Sequence, residues 1–387
     1  MSGLSTAGRQ LIHEAVAAHV GPDSVPGAVC LVACGDDVQV EALGHLTIGG
    51  AGAQRDSLFR IASMTKPITG AATMALVDEG LLDLHEPIGR LLPELASPRV
   101  LRTMDGPLDD TVAAQREITV RDLLTFTNGF GHDAAMFGGP TWPIVTAGMQ
   151  ANLGTFGPPD PSAQPGPDEW MARLGALPLM AQPGARWLYN AGAQVLGVLC
   201  QRAADTERLE DVLRTRIFEP LGMTQTSFVA SDPARLATAY VGAPAGLAVW
   251  DEPDGKWASA PAFEDGAAGL VSTVDDMLAF GRMFLRHGTP VLSADAVKEM
   301  SCDQLTPAQR QGQEAFLHGR SWGLCQSVII SGERAGAFGW DGGLGTSFLV
   351  DPSRDLVVVV LTQRLFDSPE PPAVHGAVQD AAYAAVS

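Results

Sequence analysis

IASMTKPITGAATMAL, residues 61–76, sets a serine and a lysine three positions apart in a run that is otherwise apolar or small. The chain contains only three lysines, Lys66, Lys256 and Lys298, and uses arginine almost everywhere else it needs a cation. On a helix, residues i and i+3 share a face, so a helix beginning near Ser63 holds that hydroxyl beside the Lys66 amine. A serine hydroxyl is a weak nucleophile unless a base stands next to it. Lysine in water is protonated, with a pKa of about 10.4, but burial disfavours the charged form and lowers that value. Ile61, Ala62, Ile68, Ala71 and Ala72 supply an apolar setting of that kind. Arginine in the same place would keep its proton. At a helix start the N–H of Ser63 also faces outward, where an oxyanion can form. The bland alternative is a surface helix with a solvated lysine, and S-x-x-K recurs by chance. No G-x-S-x-G elbow competes for the role of nucleophile.

Outward from this segment the chain reads as strands at both ends with helices between. Residues 6–20 carry apolar side chains at helical spacing, and PGAVCLVACGDDVQVEALGHLTI forms two strands around Gly35-Asp36-Asp37. The helix that begins near Ser63 runs to Glu79 and stops at Gly80. TVRDLLTFTNG (119–129) is a short helix capped by Thr119. Residues 138–167 are rich in Gly and Pro and read as a surface loop, and 191–205 and 209–222 as helices. GTSFLVDPSRDLVVVVLTQ (345–363) is a hairpin whose second strand is apolar enough to be central, and a last helix closes the chain. This implies an α/β (α+β) fold in which residues 1–80 and 265–387 form one discontinuous domain, 81–264 an inserted helical domain, and the cleft between them the site.

Composition narrows the function. With 387 residues, 46% of them hydrophobic, the chain has material for a large core. A net charge of −19 repels nucleic acid and anionic membrane surfaces, so neither is expected as a partner. No stretch approaches the length of a spanning helix, and the start lacks a basic segment followed by an apolar one. Five scattered cysteines, Cys30, Cys34, Cys200, Cys302 and Cys325, read as reduced, buried thiols of a cytoplasmic protein, with Cys30 and Cys34 on one strand face. No histidine pair stands at metal spacing, so neither a metal nor a cofactor is expected.

The segment FRIASMTKPITGAATMALVDEGLLDLHEPI (59–88) resembles the nucleophile segment of the serine β-lactamase and penicillin-binding-protein superfamily, closest to the class C β-lactamases and the family VIII carboxylesterases. VPGAVCLVA (25–33) resembles the family's first strand and VRDLLTFTNGFG (120–131) its DLLTHTSG segment. QPGARWLYNAGAQVLGVL (182–199) and FGWDGGLGTSFLVDP (338–352) resemble the segments of its second and third motifs, in the same order along the chain. The resemblance implies an antiparallel sheet flanked by the N- and C-terminal helices. It makes Ser63 the nucleophile, Lys66 its base partner and Tyr189 a phenol of depressed pKa that relays a proton to the leaving group. The N–H groups of Ser63 and Gly343 would form the oxyanion hole.

Two departures shape the expected activity. Where class C enzymes have Lys-Thr-Gly, this chain has Trp340-Asp341-Gly342, so an anionic substrate loses a cation and meets an acid. Trp-x-Gly resembles the esterase branch. Where the lactamases have Tyr-x-Asn, this chain has Tyr189-Asn190-Ala191, with the amide one place early. Asn190 and His132 are further candidates for the substrate cleft. Phe137, with Trp142, Phe156 and Trp170, either walls an acyl pocket or covers the core. The expected protein is a serine hydrolase that cleaves small carboxylic esters through an acyl-enzyme on Ser63. The rivals are an acyltransferase serving an alcohol or amine, a β-lactamase or D-amino-acid peptidase, and a non-catalytic binding module that kept the fold.

Overall fold

The computed structural model describes residues 3–22 and 24–386. Helix α1 (Thr6–Ala17) starts at Ser5, whose hydroxyl accepts the Gly8 N–H. Strands β1 (Gly27–Cys34) and β2 (Asp37–Gly44) form the first hairpin. A two-residue strand, Phe59–Arg60, leads through a 3-10 turn, Ala62–Met64, into α2 (Thr65–Asp78). Helices α3 (Val120–Leu124) and α4 (Ala191–Ala203) follow, then α5 (Val274–Leu285). The remaining strands of the main sheet are β3 (Ser321–Trp322), β4 (Ser327–Val328), β5 (Phe338–Gly342), β6 (Thr346–Asp351) and β7 (Leu356–Thr362), and α6 (Ala373–Ala385) follows them.

The seven strands form one antiparallel sheet in the order β2-β1-β7-β6-β5-β4-β3. The first strand therefore pairs with the last, Val29 opposite Leu361. Both faces of β7 are buried, which is why its sequence is an unbroken apolar run. Leu356, Val358 and Val360 pack with Ile12 and Val16 of α1 and Val374 and Val378 of α6. Val357, Val359 and Leu361 face the larger core, which takes in Phe280 of α5 and Ile68 of α2. Cys30 and Cys34 share the first of these layers, as their spacing implies. All five cysteines are free, and Cys302 departs from the expected burial by lying at the surface.

Helix α2 has no solvent face over most of its length: every residue from Thr65 to Leu76 is buried. This accounts for its composition, since a helix enclosed on all sides has no use for a polar stripe. Gly70 is required where it meets the chain near Cys325. A Cβ there would stand 2.7 Å from the Cys325 Cβ. The strand ahead of α2 is tied down by Arg60, which is buried and donates to Asp251 at 2.8 Å. Thr119 caps α3 and Asp122 reciprocates, giving the capping box at the place expected for the cap.

Three local expectations change. The Gly/Pro-rich stretch contains a helix, Pro143–Gln150, and runs directly into another, Pro167–Gly175. Each is begun by a proline, whose missing N–H costs nothing in a first turn. The helix expected at 209–222 widens at Arg214–Phe218 to π geometry just ahead of Pro220, which removes one N–H from the ladder. Helix α5 and the hairpin Ala239–Ala243 with Gly246–Asp251 were not read from the sequence at all. Among the described residues, no helix is long and apolar enough to cross a membrane.

Candidate active site

Ser63 sits in the 3-10 turn that feeds α2 rather than in the helix itself. The turn is held on three sides. The Ile61 N–H donates to the Leu270 carbonyl at 3.0 Å, and the Ile61 carbonyl accepts from Thr346 Oγ1 at 3.0 Å. Gly342 of β5 lies so close that a Cβ there would be 2.3 Å from the Ile61 oxygen. Ala62, immediately before the serine, is forced to φ +44°, a left-handed conformation that costs a non-glycine residue on the order of 1–3 kcal/mol. The surrounding bonds hold the strained turn in place, and it presents Ser63 at the floor of a cavity of about 470 Å³.

Lys66 lies one turn further into α2 and is fully buried. Its Nζ donates to Ser63 Oγ at 2.9 Å and to the Ala267 carbonyl at 2.9 Å. Burial lowers its pKa to about 7, against the opposing pull of the Asp265 carboxylate. Near neutral pH a large fraction of this amine is therefore unprotonated and able to accept the serine proton. The i,i+3 spacing does what the sequence implies, although the first residue of the pair is in a 3-10 turn.

Tyr189 reaches the same point from the loop ahead of α4. Backbone bonds in both directions between His132 and Tyr189, 2.8 Å each, fasten that loop to the segment after α3. Its phenol hydrogen-bonds with Ser63 and accepts the Trp340 indole N–H at 2.7 Å. The Lys66 Nζ stands 4.6 Å from the centre of its ring. Here the sequence reading needs correcting. Burial pushes the Tyr189 phenol up from its ordinary value, more than the hydrogen bonds from Ser63 and Trp340 pull it down. The phenol is protonated near neutral pH and can give up a proton rather than take one.

The other candidates divide. His132, Phe137, Asn190, Trp340, Asp341 and Gly343 line the cavity with Ser63 and Tyr189. Gly342 does not line it; its lack of a side chain serves the contact with Ile61. A Cβ on Gly343 would meet nothing within 4 Å, so the backbone there is open to the cavity. Asn190 is at φ +87°, and its amide donates to the Thr155 carbonyl at 2.8 Å. The His132 Nε2 lies 2.9 Å from the same carbonyl, which can only accept, so Nε2 carries a hydrogen. Burial lowers the His132 pKa to about 4, leaving it neutral.

Asp341 is not the bare acid its sequence position suggests. Arg320 lies 3.5 Å from it and His375 3.6 Å. Burial alone would raise its pKa, but His375 and the Arg320 charge outweigh that and hold it at about 2. Of the aromatics in the Gly/Pro-rich middle, Phe137 borders the cavity and packs on Phe316. Trp170 is core, stacked on Phe263.

Residues that sequence reasoning missed are Thr155, Asp265, Phe316 and Arg320, all in the cavity wall. Thr155 falls inside the stretch read as a surface loop, and that stretch is in fact the roof over Ser63. None of the four stands at a motif spacing from Ser63, so local pattern carries no signal for them.

An antiparallel sheet with a buried Ser-x-x-Lys turn and a tyrosine facing it across one cavity defines a serine hydrolase of the β-lactamase kind. The chain belongs to the Beta-lactamase family, whose model matches residues 12–383. It is 39% identical over 349 residues to Protein Rv1367c of Mycobacterium tuberculosis (strain ATCC 25618 / H37Rv), covering 85% of this chain and 83% of that one. It is 29% identical over 386 residues to Esterase EstB of Burkholderia gladioli, covering 92% and 91%. Among solved structures, EstCE1, described as a hydrolase with promiscuous acyltransferase activity, superposes with a TM-score of 0.82. That match has 22% identity and covers 98% of this chain and all of that one.

Trp340 yields a prediction from these contacts. Its indole N–H is the donor that fixes the Tyr189 oxygen, so Trp340→Phe should lower kcat on an ester about tenfold, the equivalent of one hydrogen bond of about 1.4 kcal/mol, with KM nearly unchanged. Steady-state kinetics decide the matter: a rise in KM at constant kcat would make Trp340 a substrate contact instead.

Proposed function

We propose that this protein is a carboxylesterase that works through an acyl-enzyme on Ser63. The observation that carries the reading is the contact of 2.9 Å between Ser63 Oγ and a fully buried Lys66 whose pKa burial has lowered to about 7. Unprotonated Lys66 takes the proton of Ser63 as the oxygen bonds to the ester carbonyl carbon. The N–H groups of Ser63 and Gly343 receive the oxyanion. Tyr189, protonated and bonded to Ser63, passes a proton to the departing alcohol oxygen, and the proton held by Lys66 restores the phenol. Water then attacks the acyl-enzyme by the same route in reverse and releases the acid.

The substrate is a small carboxylic ester, in keeping with the printed name of EstB and with an apolar cavity of about 470 Å³. β-Lactams are poor candidates. Trp340 replaces the lysine that would hold their carboxylate, and the Asn190 amide is engaged with Thr155. We place the enzyme in the cytoplasm, with residues 1–80 and 265–387 as one domain and 81–264 as the other. A second reading, transfer of the acyl group to an alcohol or amine, draws support from the printed description of EstCE1.

The test is turnover of short p-nitrophenyl esters and of a chromogenic cephalosporin, with and without added alcohols and amines. Ester turnover with little cephalosporin turnover is the expected result. Burst acylation followed by release only when an acceptor is added would favour the transferase.

A further inference from the structure

In the cavity wall, outside every motif, lies a carboxylate that the esterase mechanism above does not use. Asp265 is 3% exposed. One of its oxygens accepts the Ala267 N–H at 2.7 Å, and the Ala267 carbonyl is the second acceptor of the Lys66 amine, at 2.9 Å. Its other oxygen accepts Gln194 Nε2 at 2.9 Å, with Gln164 Nε2 further off at 3.5 Å. Gln194 in turn accepts from Thr155 Oγ1 at 2.7 Å, and the Thr155 carbonyl receives Asn190 and His132. Gln164 also donates to the Leu153 carbonyl at 2.9 Å. One carboxylate thus joins the turn against Lys66 to the roof formed by residues 153–164.

We propose that Asp265 is a positioning residue of the active site, holding the Ala267 carbonyl against Lys66 with one oxygen and the cavity roof with the other, while its charge sets the pH at which Lys66 becomes a base. This rests on the reading of Lys66 as the base of Ser63. Every group within bonding reach of the Asp265 oxygens is an N–H donor, an environment that suits a carboxylate and offers no acceptor to a carboxylic acid. Burial pushes the Asp265 pKa up, and the Ala267 N–H, Gln194 and Lys66 oppose it.

Tyr189, Cys325 and His132, which also stand around Lys66, are neutral at pH 7. Burial raises the Tyr189 phenol and the Cys325 thiol, and lowers His132 to about 4. Asp265 is therefore the counter-charge among these groups. An opposite charge favours protonated lysine, so removing it lets Lys66 lose its proton at lower pH.

The experiment is the rate at which a fluorophosphonate labels Ser63 as a function of pH, which needs no ester substrate. In the wild type, labelling should rise through a midpoint near pH 7 as Lys66 deprotonates. Asp265→Asn is expected to move that midpoint down by about one unit, the lower end of what a neighbouring opposite charge supplies. Asp265→Ser, which keeps an acceptor for the Ala267 N–H, should give the same shift and serves if the first variant does not fold. Gln194→Met keeps the charge and cuts the link to the roof; it should leave the midpoint in place and raise KM for esters several-fold. An unmoved midpoint in the Asp265 variants would overturn the assignment, as would an equal shift in Gln194→Met. A wild type that the phosphonate does not label at all overturns the esterase reading itself, and this assignment with it.

Discussion

Ser63→Ala should lose ester turnover by a factor on the order of 10⁵, because it removes the hydroxyl that the Lys66 amine contacts. The loss should fall on kcat and not on KM, since the cavity wall is untouched. The variant should fold normally. Ser63 Oγ is bonded to Lys66 and Tyr189, and Lys66 keeps its bond to the Ala267 carbonyl when the hydroxyl is gone. Labelling by a fluorophosphonate, read by intact mass, should vanish together with activity. A variant that retained more than about one hundredth of wild-type turnover would place the nucleophile elsewhere and sink the reading of the whole site.

Lys66→Arg tests why this chain, which otherwise prefers arginine, keeps a lysine here. Arginine retains its proton at any working pH, so the variant has a cation where it needs a base. Turnover should fall by about 10³- to 10⁴-fold, the upper range for loss of general base catalysis. The wild type should show the matching pH dependence. Because burial lowers the Lys66 pKa to about 7, the amine is protonated and inactive below that value and available above it. The acid limb of kcat/KM should therefore bend near pH 7, with activity falling about tenfold per unit further down. Tyr189, raised by burial, stays protonated across this range and adds no limb near neutrality. A profile that is flat from pH 5 to 8 would falsify the assignment of Lys66 as the base.

The contact between Ser63 and Lys66 was legible in the sequence because the two interact over one helical turn, where spacing along the chain is spacing in the molecule. The sheet was legible for a similar reason. The unbroken apolar run Leu356–Leu361 has to be covered on both faces, and helices from the two ends of the chain cover one of them. Tyr189 and Trp340 were found only because the segments around them resemble a known family. Nothing in their own neighbourhoods says that they meet through a bond of 2.7 Å.

What the sequence by itself determined was the chemistry on offer: a serine beside a lysine without solvent, no elbow serine to compete, and a tryptophan where a cation would be needed for β-lactams. Tertiary structure alone decided how those groups are tuned. The Gly/Pro-rich stretch reads as an exposed loop because its residues suit turns, yet bonds from Gln164 and Gln194 draw it over Ser63 as a roof. Asp341 reads as a bare acid, but Arg320 and His375, distant in sequence, compensate its charge. The Tyr189 phenol reads as acidic and is the reverse, because burial from all sides outweighs two hydrogen bonds. Burial and long-range charge depend on which segments are brought together, and a local pattern carries no record of its distant neighbours.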